Sequence, residues 1–285
     1  MSAQPELVEA ISFSESGRRF ANRGDMYNIS EFTEFSNPDM TDVARKVHAE
    51  GYCTMNFVED SAIDPATGWL AEDIDKARGP YVDIFVAENP ANEKDKATIR
   101  KEHIPYGGTV DDLPAIQLCR GSMRPEVMEM LDAIESPEFV LKEIGAMART
   151  EAGGALGPFE LIRETTQAAR GKGELWIFSI VSTTFDSLQE SFGERAFPQV
   201  GEPVDLDDDR VKEHIKLIPV LVDIDNFYAN IAEGAITAGN PVRAKKLIRS
   251  FLFLTAGMED TELTPKELAF KEAVLQGKRH IGAAS

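Results

Sequence analysis

The chain of 285 residues is short of cysteine, of histidine and of positive charge. Its two cysteines, Cys53 and Cys119, stand far apart with no CxxC spacing, which argues against a disulfide framework and for a reducing compartment. The four histidines, His48, His103, His214 and His280, form no HExxH and no i, i+4 pair, so a zincin site is excluded. No apolar run approaches the roughly 20 residues that cross a bilayer. The run around Phe251 to Leu254 falls far short. No basic region followed by an apolar stretch opens the chain, so the expectation is a cytoplasmic protein without a visible signal peptide. Basic residues number 30 against 49 acidic ones, a formal charge of −19 with a pI near 4.7. A field of that sign repels nucleic acid and anionic membranes, so neither is an expected partner.

What is present is ordinary for a folded enzyme-sized chain. With 42% hydrophobic and 28% charged residues, it has the material for its own core. Residues 1–26 read as an arm. Tyr27 to Phe35 alternates as a first strand, and Thr41 caps a helix that Gly51 stops. Asp64-Pro65 reads as the start of a second helix carrying Leu70, Ile74 and Ala77. Tyr81 to Val86 and Ala97 to Ile104 are strands by alternation, joined by turn chemistry from Asn89 to Asp95. A helix opens at Pro125, and Phe139 to Ala148 reads as a strand. Pro158 to Gly171 is helical. Leu175 to Val181 is a continuous apolar run, the pattern of a strand buried on both faces. A short helix from Thr184 to Phe192 follows, then strands over Ala196 to Val204 and His214 to Val222. From Asp225 onward the pattern is helical, with an Asn240-Pro241 cap and a capping box at Thr264 to Glu267. The order implies an α+β fold on one mixed sheet, with the strands at Phe139 to Ala148 and Leu175 to Val181 as parallel neighbours.

The segment richest in chemistry runs from Glu143 to Gly171. A strand enters Glu151-Ala152-Gly153-Gly154-Ala155-Leu156-Gly157 and passes straight into a helix. Small residues let amides approach a ligand, and a helix N-terminus adds free donors with a partial positive charge, together a candidate phosphate cradle. Two better-known phosphate loops do not fit. Gly157 is followed by Pro158 and Phe159 where a P-loop has Lys and Ser or Thr, and Gly153, Gly154 and Gly157 lack the G-x-G-x-x-G spacing.

This order of strand, glycine-rich loop, helix, buried strand and short helix resembles the core of the GNAT acyltransferase superfamily. The run Glu143-Ile144-Gly145 to Ala148 is most similar to N-acyl amino acid synthases and acyl-homoserine lactone synthases. The resemblance implies an acyltransferase domain over residues 27–222, with residues 223–285 a C-terminal helical extension. It implies a wedge between the two parallel strands that takes the pantetheine arm of an acyl-CoA or acyl-carrier-protein thioester, with no metal. A small-molecule amine would be the acceptor. Met147, Ala148, Arg149, Gly153, Gly154, Ala155, Leu156 and Ser182 would then bind the donor. Glu143, or else His103, would take the amine proton. Two departures stand out. Arg149 is followed by Gly153 and Ala155, one residue longer than the usual Q/R-x-x-G-x-G/A, and Gln189 stands where a tyrosine acid is frequent.

Three functions therefore compete: an N-acyltransferase, a catalytically inactive GNAT-like binding or interaction module, and a non-haem iron enzyme using His48-Ala49-Glu50. A carrier-protein donor would need a basic patch such as Arg243, Lys245 and Lys246 on this acidic chain. The apolar groups of the C-terminal helices, Val242 among them, predict an integral cover over the sheet or a homodimer contact.

Overall fold

The run Leu175–Val181 forms a strand at the bounds its composition predicts, inside a seven-stranded mixed sheet. The structure, a computed structural model, describes residues 27–33, 35–71, 81–154, 156–206, 209–212 and 215–282. The expected arm over 1–26, the helical stretch expected over 72–80, Ala155 and His214 lie outside them. Spatially the strands run β1 (Asn28–Thr33), β2 (Val82–Glu88), β3 (Lys96–His103), β4 (Leu141–Arg149), β5 (Leu175–Val181), β7 (Lys216–Asp223) and β6 (Val204–Asp205). Every pairing is antiparallel except β4 with β5, which is parallel. A parallel pair needs a long crossover, and α5 (Leu156–Ala169) supplies it. The α+β mixed sheet is as expected.

Helices cover both faces. On one lies α1 (Pro38–Thr54), whose Ala44 joins Phe32, Val82, Ile84 and Val86 in a buried cluster. The same face carries α2 (Pro114–Cys119), α3 (Pro125–Asp132) and the single turn α4 (Pro137–Val140). Leu113, Ile116 and Leu131 pack with Leu141 and Ile177, all five fully buried. Each contributes on the order of 1.5–3 kcal/mol. On the other face α5 lies so close to β3 that a Cβ at Gly157 would stand 2.9 Å from Ala97 Cβ.

A second compact unit comprises residues 186–198 with the helices from Ile224 onward. These are the C-terminal part of α6 (Ser182–Phe192), then α7 (Ile224–Thr237), α8 (Pro241–Leu254) and α9 (Pro265–Gly282). Phe227 packs Phe192 and Phe197 at 6.1 and 5.6 Å between rings, and Phe251 meets Phe270 edge-on at 4.9 Å. Asn240 caps α8 through a bond from Val242 N, and Thr264 and Glu267 exchange the expected capping-box bonds. Leu247, Ile248, Phe251, Leu254 and Val274 are buried as expected, but Val242 is 76% exposed. It sits in the first turn of α8, on its outer side.

Three sequence expectations change. The first helix starts at Pro38, capped by Asn37, and runs through Gly51 to Thr54. Gly51 does not stop it but lets it touch β4. Asp64-Pro65 opens a turn, not a helix: Asp64 accepts from Ala66 N and Thr67 Oγ1, its N–H reaches Trp69 O, and Leu70 bridges to Ile63. An aspartate serves a helix cap and an Asx turn by the same bond. The stretch Ala196 to Val204 makes isolated bridges at Gln199 and Gly201 before the two-residue β6, because Pro198 and Pro203 remove ladder donors.

Candidate active site

The parallel pair is short. β4 and β5 share three register pairs, Leu141 with Leu175, Lys142 with Trp176 and Glu143 with Ile177. Beyond Glu143 both strands continue without pairing each other, so a wedge opens whose apex is Glu143. On its other edge β4 stays paired to β3, but the register shifts: Gly145 faces Arg100 and Ala148 faces Thr98. Ala146 and Met147 therefore share the single partner position Ile99, a β-bulge. Ala146 adopts φ +49, left-handed backbone that a residue with a Cβ rarely takes. The strain sits on the stretch of β4 that β5 has left.

Glu143 is a buried carboxylate, only 5% exposed, and its Oε2 accepts from Ala115 N at 2.8 Å. Across the strand pair stands Glu102, 1% exposed, whose Oε1 is 3.1 Å from the Arg100 guanidinium. Carboxylates directly opposite repel, and Arg100, on the same face, offsets the second charge. Burial, with the charge of Glu143 behind it, pushes the Cys119 thiol up to about 12. Arg100 and Glu102 escaped the sequence reading. Alternation places both on one face of β3, away from His103, but only the β3–β4 register shows that Glu143 is their neighbour.

His103 is not at the wedge. It pairs with Lys142, one register step from Glu102 and Glu143, so its side chain lies on the opposite face of the sheet. Its Nε2 is 2.6 Å from Asp83 Oδ2. Around them Lys101 pairs with Glu174 at 2.7 Å, Trp176 Nε1 donates to Glu174, and buried Lys142 donates to Glu138 O. Burial lowers the Lys142 ammonium. This is an internal ion cluster, and it removes His103 as an alternative base.

The glycine-rich loop follows β4 and differs from the expected open cradle. Gly154 N donates to Asp95 Oδ1 at 2.9 Å, and Asp95 Oδ2 accepts from Tyr27 Oη at 2.7 Å and Asn89 Nδ2 at 2.9 Å. Burial and the Asp95 carboxylate raise the Tyr27 phenol above its ordinary value. Gly153 N turns back to Thr150 O, Glu151 N donates to Glu50 Oε1 at 2.7 Å, and the Arg149 guanidinium donates to Gly153 O. Of the other expected donor-binding residues, Met147 lies in the bulge, and buried Ala148 turns toward α1. Leu156 is the first residue of α5 and Ser182 the first of α6. A groove of about 480 Å³ flanks the loop between α1 and the β2–β3 turn, with Lys46 and Lys96 in its walls.

The remaining sequence candidates do not converge. His48 is buried in α1 and stacks edge-on with Tyr52 at 4.2 Å, whereas the Glu50 carboxylate holds Glu151 N. Residues two apart on a helix do not face each other, which removes the iron site. Among the described residues, no group of three His, Cys, Asp or Glu could hold a metal. Arg243 pairs with Glu194 and Lys246 with Glu190, so the basic patch on α8 is neutralised within its own unit. Gln189 donates to Phe197 O.

Among solved structures, the chain is similar to FeeM, an N-acyl amino acid synthase from uncultured soil microbes. The identity is 15% and the TM-score 0.50, over 72% of this chain and 95% of that one. The fold is GNAT-like. The CoA-dependent acyl-homoserine lactone synthase MesI matches at 10% identity and TM-score 0.46, over 79% of this chain and 95% of its own. The AHL synthase LasI matches at 8% and 0.44, over 70% and 91%. No protein-family profile and no curated protein matches the sequence. No helix among the described residues is long and apolar enough to cross a membrane.

Proposed function

We propose that the protein is an N-acyltransferase that moves an acyl group from a pantetheine thioester to a small-molecule amine. The observation that carries this reading is the wedge: a parallel pair that parts at a buried carboxylate, with a bulge on the freed strand. The free edge of β4 offers backbone groups to the amides of a pantetheine arm in the manner of an added strand. The fold shared with an N-acyl amino acid synthase supports the same reaction class.

In that reaction the amine must be neutral to attack. Its nitrogen forms the new C–N bond, the C–S bond breaks, and the thiol leaves as thiolate, protonated by solvent. The proton lost from nitrogen goes to Glu143, whose carboxylate is fixed by Ala115 N. The acidic surface favours a neutral or basic acceptor. The test is product detection by mass spectrometry with short and long acyl thioesters and a panel of small amines, including amino acids. Glu143→Gln keeps an acceptor for Ala115 N while removing the base, and should lower kcat/KM by about 10²–10⁴-fold without unfolding. Full activity in Glu143→Gln removes Glu143 from the mechanism. Binding of thioesters with no product from any amine would leave a binding module.

A further inference from the structure

We propose that Asp95 makes this site select its donor by the pantetheine arm alone, by filling the place where a donor pyrophosphate would be held. The inference rests on the thioester reading above. In the loop that leads into α5, the amides of Thr150, Glu151, Gly153 and Gly154 have acceptors from the protein: Lys96 O, Glu50, Thr150 O and Asp95. Two of those acceptors are carboxylates. Asp95 is 6% exposed and held from three sides by Gly154 N, Tyr27 Oη and Asn89 Nδ2. It answers the helix dipole as an internal anion would.

Three of the nearby cations are engaged too. Arg149 is turned onto Gly153 O, Lys96 pairs with Glu88, and Lys46 pairs with Asp42. A pyrophosphate brought to this loop would find four of its amides taken and two carboxylates beside it. The pantetheine arm is uncharged, carries two amides, and matches the free edge of β4. It is common to CoA and to a phosphopantetheinylated carrier protein. Asp95 is thus a specificity-determining residue: it touches the loop, not the reacting atoms.

The test uses the full chain with one acyl group on three donors, acyl-pantetheine, acyl-CoA and acyl-carrier protein, and the variant Asp95→Asn, whose single oxygen keeps the bond from Gly154 N while its NH2 donates to Tyr27 Oη. In the parent, kcat/KM for acyl-CoA and acyl-pantetheine should agree within about threefold, and Asp95→Asn should raise only the acyl-CoA value, about tenfold, as a like charge is removed. A parent preference for acyl-CoA above about tenfold overturns the proposal, with no need of the variant. A gain for the carrier over acyl-pantetheine upholds it and identifies the source of the arm. Calorimetry with CoA and with pantetheine gives a readout independent of turnover. Equal affinities in the parent, with CoA favoured in Asp95→Asn, uphold the proposal even if no amine is acylated, which would sink only the transferase reading. Tighter CoA binding in the parent refutes it.

Discussion

Gly51 offers a test in which two effects of known size have opposite sign. It lies inside α1, where alanine would ordinarily favour the helix over glycine by about 0.8–1.0 kcal/mol. Yet a methyl there would stand 2.9 Å from Ala148 Cβ, 2.9 Å from Arg149 O and 3.2 Å from Arg149 N. Carbon atoms in contact prefer about 3.5–4.0 Å, so α1 and β4 would have to part by several tenths of an ångström. Two of the three obstructing atoms are backbone of a strand already paired to β3, and they cannot rotate aside. The overpacking penalty therefore belongs in the upper half of the usual range, about 2–3 kcal/mol. The net effect of Gly51→Ala is a loss of about 1–2 kcal/mol. Gly234 in α7 is the control. A methyl there would meet Leu247 at 3.5 Å, an ordinary contact, so Gly234→Ala should gain about 0.5–1 kcal/mol. Urea unfolding followed by circular dichroism reads both as shifts of midpoint in opposite directions. If Gly51→Ala stabilises as much as Gly234→Ala, the close approach of α1 to β4 is wrong.

Two further outcomes follow from the charge distribution. Cys119, buried and raised to about 12, should resist alkylation in the native protein, whereas half-buried Cys53 reacts first; quantitative labelling before and after denaturation checks this, and rapid native labelling of Cys119 refutes it. Burial alone would raise the Asp83 carboxyl, but the bond from His103 and the charges of His103, Lys101 and Lys142 together hold it below its ordinary value. A depressed carboxyl adds stability above its unfolded pKa of about 4 and loses it as pH falls through the folded value. His103→Gln should thus be less stable than the parent at neutral pH, by a gap that narrows in acid, with unchanged acyl transfer. A gap independent of pH, or lost activity, would contradict the placement of His103.

What was legible in the sequence was the local pattern. An apolar run broken only by Ser179 marks Leu175–Val181, and the glycine-rich loop between it and the preceding strand makes a parallel crossover readable. The strand at Leu141–Arg149 was visible, but not its bulge, since nothing in Gly145-Ala146-Met147 announces a left-handed alanine. Asn89 to Asp95 read correctly as turn chemistry, yet Asp95 acts on Gly154, a contact that only the sheet order brings about. Glu143 was found by resemblance. Its surroundings, Glu102 and Arg100 across the strand and Ala115 from α2, depend on register, which alternation leaves open.

The central seam of the sheet has a mechanical consequence. β1 with β2, β2 with β3, β3 with β4 and β5 with β7 are each joined over six residues or more, whereas β4 and β5 are joined over three. Apart from the two-residue edge strand β6, under load or in spontaneous opening such a sheet yields along its midline, dividing β1–β4 from β5 and β7 while each set stays intact. Amide exchange should then be fastest, among the interior strands, along β4 beyond Glu143. A bulky acyl chain could enter by widening this cleft, with no loop having to lift.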